Sequence, residues 1–282
     1  MSPQTYFEVV AFVFGATIGS FLNVCIGRWP AEQSVVKPRS RCPNCGHQLA
    51  WFENIPLVSW IVLRARCRCC AERISVQYPL VELAVAIVWA SCVAYGGPTL
   101  VSVRVATTVT VLLGVAITDA KYYLIPDGFT LFGLLFTLAL ATYGFIQFQD
   151  SGPFAGLYDA AVGACVGAGL IAIVGWLGEI AFKKVAMGMG DMTLMAFVGA
   201  VVGPNRAVLT VFVGSAIGAA VFLLVVYPVA WVLRGRRRAQ GELSLGTQAF
   251  EPPLVPFGVF LAPAAVVTLL WGNALFAWIL GG

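Results

Sequence analysis

A single histidine, His47, occurs in the 282 residues, and it adjoins a cysteine pair. With no second imidazole available, a simple Ser/His/Asp reading is excluded. Charge is scarce too: 11% of the residues are Asp, Glu, Lys or Arg, against 60% hydrophobic. A soluble domain cannot usually hide that much apolar surface, so the composition points to an integral membrane protein. No internal repeat marks the inverted halves of a transporter. The first apolar run lacks a positive flank before it and an A-x-A-like exit, so a cleaved signal peptide is not expected. The net charge of +4 needs no nucleic acid to explain it.

Long apolar runs are abundant. Eight candidates lie near 6–27, 79–96, 99–118, 129–148, 157–182, 190–203, 207–233 and 257–280. They are continuous rather than alternating, which favours helices over a barrel. The expected fold is an all-α polytopic membrane protein with about eight transmembrane helices and a small cytoplasmic insert between helices 1 and 2. The expected parts are a first helix (1–27), the insert (28–78) and a seven-helix membrane core (79–282). With the N-terminus outside, the inner segments hold 15 of the 17 Lys and Arg residues. The positive-inside bias therefore favours an N-out, C-out topology. "RGRRR" (234–238) reads as a topology anchor near anionic lipid, within an irregular loop rich in Gly and Pro.

The insert contains "RCPNCGHQLAWFENIPLVSWIVLRARCRCC", in which two C-x-x-C pairs are separated by 21 residues. Two such knuckles brought together make a tetrahedral thiolate cage, the usual form of a structural zinc site. Cys42, Cys45, Cys67 and Cys70 are the expected ligands. Cys69 competes with Cys70, but the two-residue spacer of the first knuckle favours Cys70. A segment of about 50 residues has little core of its own, and metal binding supplies folding energy to such modules. A reducing inner compartment disfavours structural disulfides there. A redox pair or free thiols are the alternative reading. His47 is a surplus ligand. Cys25, Cys92 and Cys165 lie in apolar spans as packing residues.

Most of the 13 acids lie in loops or at outer helix ends. Glu32, Glu53, Glu72, Glu242 and Glu251 fall in inner loops. Glu82 and Glu179 lie near inner helix ends; Glu82 is a polar candidate near the active face or an interfacial acid facing Arg73. Asp191 follows Gly188-Met189-Gly190 and begins a helix, where a carboxylate can serve as an N-cap. The run that follows is only about 20 Å long at 1.5 Å per residue, less than the hydrocarbon thickness. Asp191 is therefore expected within or just at the membrane boundary, where an acid is a functional candidate by default. Its flanking Gly188 and Gly190 would let another backbone come close. Asp119 ends the third span, at the negative end of the helix dipole, and no capping argument accounts for it. Asp127 follows Pro126 and can cap the fourth span. By topology all three reach the same inner face. Two carboxylates in one protected site can share a proton, one as base and the other as acid, which is the chemistry of an aspartyl protease.

The sequence resembles the prepilin peptidase family, the type IV prepilin leader peptidases and N-methyltransferases. The likeness is carried by "GSFLNVCIGRWP" (19–30), "RCPNCGHQLAWFENIPLVSW" (41–60), "CRCC" (67–70), "YPLVELA" (78–84), "TDAKYYLIPD" (118–127), "GMGD" (188–191) and "VPFGVFLAP" (255–263). The resemblance implies a G-x-G-D aspartyl protease of the bacterial inner membrane, acting at the cytoplasmic face. It implies removal of basic leaders from prepilins or pseudopilins after a glycine, then methylation of the new amine using S-adenosylmethionine. The family's catalytic pair maps onto Asp119 and Asp191, with Asp127, Gly188 and Gly190 as supporting residues. The cysteine insert implies that both activities are present. Two departures stand out: Thr118 precedes Asp119 where an apolar residue is common, and "CRCC" has an additional cysteine. No G-x-G-x-x-G-like loop marks a methylase pocket, so no residue is assigned to the methyl donor.

Two other classes compete. A proton- or metal-coupled transporter suits intramembrane acids, but predicts them deep in several spans rather than at one face. A membrane thiol oxidoreductase needs cysteines near the oxidising side, whereas the charge bias puts these inside. The expected partners are prepilin or pseudopilin substrates and membrane lipids, with no nucleic acid.

Overall fold

Backbone groups in lipid must be satisfied within the chain, and a continuous apolar run does this by coiling into a helix. The computed structural model describes residues 2–147, 152–183, 187–231 and 256–280. The arginine run 234–238 and nearly all of the loop around it lie outside the described residues. The helices are α1 (Pro3–Arg28), α2 (Val58–Val62), α3 (Gln77–Gly96), α4 (Leu100–Tyr122), α5 (Asp127–Ile146), α6 (Leu157–Phe182), α7 (Met189–Val202), α8 (Pro204–Val221) and α9 (Gly258–Leu280). A π-helical turn, Phe222–Val226, continues α8. Seven of the helices are long and apolar enough to cross a membrane. The eighth expected span, α7, has 14 residues and is shorter. Among the described residues β-structure is limited to two isolated bridges in the insert.

Local chemistry sets the helix ends. The Ser2 side chain accepts the Thr5 N–H to start α1, and the Thr99 side chain accepts the Ser102 N–H to start α4. Gly203, at φ 84°, breaks α7 from α8, and Pro204 opens α8 at the first turn, where a missing N–H costs nothing.

The chain forms two compact units, Met1–Gly152 and Pro153–Gly282. The first holds α1–α5 and the insert, and its main contact is α1 against α3. Gly15 and Gly19 sit one turn apart on α1. A Cβ at Gly19 would lie 2.7 Å from the Glu82 Cα, and one at Gly15 would lie 2.8 Å from the Trp89 Cβ. In the second unit α6 and α7 approach even more closely. A Cβ at Gly199 would overlap the Gly163 carbonyl oxygen, and one at Gly167 would overlap that of Met195. Lipid tails are as apolar as leucine, so such helices associate through close packing, and small residues four apart permit it.

These contacts make a stability prediction. Gly199→Ala should lower the thermal unfolding midpoint in detergent, because the new methyl meets backbone that cannot rotate away. Overpacking of this kind costs about 1–3 kcal/mol. Gly27→Ala, at a helical position with nothing within 4 Å, should leave the midpoint unchanged or raise it. Equal midpoints for both variants would show that the α6–α7 seam is looser than described.

Candidate functional site

The two cysteine pairs occupy matching turns. In the first, the Cys42 N–H donates to His47 O (2.9 Å) and the Gly46 N–H to Cys42 O (3.0 Å). In the second, the Cys67 N–H donates to Glu72 O (2.8 Å) and the Ala71 N–H to Cys67 O (2.9 Å). Each turn needs a residue with positive φ, supplied by Gly46 at 73° and by Ala71 at 56°. The flanks close in the same way, with Leu49 N–H on Ser40 O (2.9 Å) and Ile74 N–H on Ala65 O (2.8 Å). The module is thus two copies of one knuckle placed face to face.

The four sulfurs of Cys42, Cys45, Cys67 and Cys70 all lie within 4.8 Å of one another. Cys42 and Cys70 are 3.8 Å apart and Cys45 and Cys67 3.9 Å. A tetrahedral zinc site with Zn–S bonds of about 2.3 Å needs sulfurs about 3.8 Å apart. The donor set and its spacing therefore fit zinc. Cys70, not Cys69, completes the cluster. Backbone N–H groups prepare the thiolates: those of Cys45 and Asn44 lower Cys42 to about 7, and those of Cys70 and Cys69 lower Cys67. Cys45 accepts the His47 N–H, which favours its thiolate, yet desolvation and the sulfurs of Cys70, Cys42 and Cys67 push it up to about 12. Four sulfurs this close cannot all ionise without a cation among them, and a divalent metal removes that conflict.

Glu53, expected as an inner-loop acid, and Glu82, a candidate near the active face or a partner of Arg73, each accept a backbone N–H. Glu53 is buried rather than a solvated loop acid. Its Oε2 accepts the Ala50 N–H (2.8 Å) and lies 3.2 Å from His47 Nε2. Those two partners hold it below the usual carboxylate range, the Ala50 N–H most of all. His47 is therefore engaged beside the cage rather than in it. Glu82, on α3, is also buried and accepts the Leu57 N–H (2.8 Å) from the insert. Its partner in the insert is the Leu57 backbone rather than Arg73, and the Ser20 side chain on α1 also reaches it. The Glu53 contact is local, an acid at the third helical position reaching back to the cap N–H, whereas the Glu82 partner is distant in sequence and has no local signal.

The aspartates are distributed over both units. Asp119 lies in the last turn of α4, and its carbonyl accepts the Tyr123 N–H (2.9 Å). It is 5% exposed and shares the inward face of α4 with the buried Leu112 and Val115. On the other flank of that helix end, a groove of about 650 Å³ opens between α3 and α4, lined by Leu80, Val81, Ala116, Ile117 and Ala120 with Gln77 and Lys121. Asp127 is exposed and is the first residue of α5; Pro126, rather than Asp127, holds the cap position.

Asp191 belongs to the second unit. It is the third residue of α7, and Gly188 is the cap. The Gly188 N–H donates to Asp191 Oδ2 (3.3 Å), so the carboxylate reaches back to the residue before the helix. Gly188 has φ −79°, open to any residue, so its backbone does not require glycine. A Cβ there would find its nearest neighbour at 3.8 Å, and this open space is what the missing side chain preserves. The register against α6 fixes the depth of Asp191. Gly163 meets Gly199, Gly167 meets Met195 and Gly175 meets Met187, which sets Asp191 opposite Ile171. From that level α6 runs on to Phe182, about 16 Å further at 1.5 Å per residue. Asp191 is therefore recessed along α6, as an acid on a short helix must be.

Comparison with known proteins covers both units. Residues 13–95 match the family model described as Bacterial Peptidase A24 N-terminal domain, and residues 106–223 match that of the Type IV leader peptidase family. A prepilin leader peptidase/N-methyltransferase of Aeromonas hydrophila is 32% identical over 99% of this chain and 95% of its own length. One from Burkholderia pseudomallei is 33% identical over 96% of this chain and 87% of its own. One from Myxococcus xanthus is 44% identical over 69% of this chain and 56% of its own length. No solved structure matches the chain. With relatives of one name aligned along nearly its whole length and its long apolar helices accounted for, this multi-pass membrane chain belongs to the type IV leader peptidase family.

Proposed function

We propose that this chain is a membrane aspartyl endopeptidase that cleaves the leader from type IV prepilins or pseudopilins after a glycine, and then methylates the new N-terminal amine. The observation that carries the reading is the alignment with prepilin leader peptidase/N-methyltransferases over 99% of the chain. It is supported by the buried Asp119 at one helix end and the recessed Asp191 behind a glycine-bounded turn. Nothing favours the transporter alternative.

In this reading Asp119 and Asp191 act together on one water molecule and the scissile carbonyl. Asp191 lies in the first turn of α7, where the helix dipole favours negative charge, and serves as the base that takes a proton from water. Asp119 lies in the last turn of α4, where the dipole opposes charge, and donates a proton to the carbonyl oxygen. As the tetrahedral intermediate collapses, the C–N bond breaks and the departing amine takes the proton held by Asp191. Gly188 and Gly190 leave room for the peptide backbone, and Asp127 supports the site. The chain lies in the bacterial inner membrane with its N-terminus outside and the site and insert on the cytoplasmic side, as the positive-inside bias indicates.

The metal in this reading is a structural zinc held by Cys42, Cys45, Cys67 and Cys70; four thiolates leave no open position for substrate or water. The methyl donor is S-adenosylmethionine, which supplies an electrophilic methyl group to the free amine.

Asp119→Asn and Asp191→Asn should each abolish leader cleavage in proteoliposomes while the protein still inserts and keeps its metal. Asn preserves size but cannot hold the proton a base must take. Asp127→Asn should retain measurable cleavage. Both inactive variants should still methylate a pre-cleaved pilin, read by mass spectrometry with and without S-adenosylmethionine. Wild-type cleavage by Asp191→Asn would reduce Asp191 to a helix-end residue and end the mechanism.

Metal analysis of purified protein should find close to one zinc per chain. Cys69→Ala should keep it, and Cys70→Ala should lose it. The reverse pattern would reassign the fourth sulfur.

A further inference from the structure

The insert carries an apolar face that is exposed among the described residues. Val58, Ile61 and Val62 fall at i, i+3 and i+4 of α2, so they share one side of that helix. They are 53%, 68% and 71% exposed, and Trp51 in the adjoining turn is 75% exposed. The opposite side of α2 is fixed: buried Ser59 donates its hydroxyl to Phe52 O at 2.8 Å. The helix cannot roll its apolar side inward without losing that bond.

The depth of this face is set by Glu82. Leu57, directly before α2, has φ 62° and ψ −49°, and the Val58 N–H closes onto Pro56 O at 2.6 Å. This is a tight positive-φ turn, strained for leucine. It delivers the Leu57 N–H to the Glu82 carboxylate at 2.8 Å. Glu82 lies about 7.5 Å along α3 from Gln77, at 1.5 Å per residue. α3 is itself long and apolar enough to cross a membrane. The start of α2 is therefore pinned beside a membrane helix, beyond that helix's own first turn.

Charge identifies what meets this face. Arg64, Arg66 and Arg68 follow α2 immediately, Arg73 lies in the second knuckle, and all four are exposed. Segment 28–78 carries eight Lys or Arg residues against three Glu. A basic leader peptide would be repelled by such a surface, whereas anionic headgroups above an apolar layer complement it in both respects.

We propose that α2 and Trp51 form an interfacial anchor, with their apolar side chains in the headgroup–acyl boundary beside α3 and the neighbouring arginines on anionic lipid phosphates. The anchor rests on α3 spanning the bilayer and not on the identity of the reaction. Trp at the boundary and Val and Ile just below it match the polarity gradient of that zone.

The test uses full-length protein in lipid nanodiscs of phosphatidylcholine, with and without phosphatidylglycerol. Photoreactive p-benzoylphenylalanine placed at Ile61 should form lipid adducts in both. With phosphatidylglycerol present, that lipid should be over-represented among the adducts relative to its share, and raised salt should erase the excess. Ile61→Asp should speed tryptic cutting after Arg64 several-fold in nanodiscs, with zinc content unchanged. Where zinc content falls, Ile61→Ser replaces it, with the same expectation. Absence of lipid adducts at position 61, adducts to polypeptide alone, or a tryptic rate equal to wild type each overturns the anchor. Because none of these readouts involves cleavage, their failure is distinct from failure of the peptidase reading.

Discussion

Everything in the membrane part of this chain depends on backbone meeting backbone. Helices in lipid gain little from hiding apolar side chains, so their association rests on van der Waals contact at short range. The chain obtains that contact with the same spacing in each unit, Gly15 and Gly19 on α1 and Gly163 and Gly167 on α6. In the first unit the close approach of α1 to α3 surrounds Glu82, which in turn holds the insert. In the second, contact between α6 and α7 sets the register that recesses Asp191. The carboxylates of Glu82 and Asp191 are thus positioned by residues with no side chain.

The insert is ordered by other means. Its 3₁₀ turn at Trp51–Asn54 and the five-residue α2 are too short to be stable alone. Order comes from paired knuckles, from Glu53 closing the first knuckle's exit, and from Glu82 receiving Leu57. Polar contacts and a four-sulfur cluster that fits a metal do there what packing does in the helices. This division matches composition, since the insert holds eight of the chain's 17 basic residues and little apolar mass with which to build a core.

Much of this was legible beforehand. Continuous apolar runs place the helices to within a few residues, because length and hydropathy alone decide them. Identical C-x-x-C spacers select Cys70 over Cys69, because a knuckle's geometry fixes its spacer. The acids were harder. Asp191 reads as an N-cap but is the third helical residue, since Gly188 takes the cap position three residues sooner. Asp127 reads as a cap but follows one. Glu53 reads as a loop acid and Glu82 as a candidate near the active face or a partner of Arg73; a local turn brings the Ala50 N–H to the first, and only tertiary structure brings the Leu57 N–H to the second. Sequence period reports which face is apolar; it carries no record of which distant N–H a carboxylate will meet.

The 26-residue α6 and the 14-residue α7 are flush at one end, where the Ala155 N–H donates to Val201 O at 3.0 Å. Most of their difference in length therefore falls at the other end, in front of Asp191. A polypeptide arriving from the Phe182 end has to descend about 16 Å, and an extended chain covers about 3.3 Å per residue. On the reading in which Asp191 takes part in cleavage, about five consecutive residues would have to be unfolded beside the bond to be cut. On that reading the recess would act as a ruler for slack, admitting a tethered polypeptide with a loose junction and refusing one whose helix or fold continues through it.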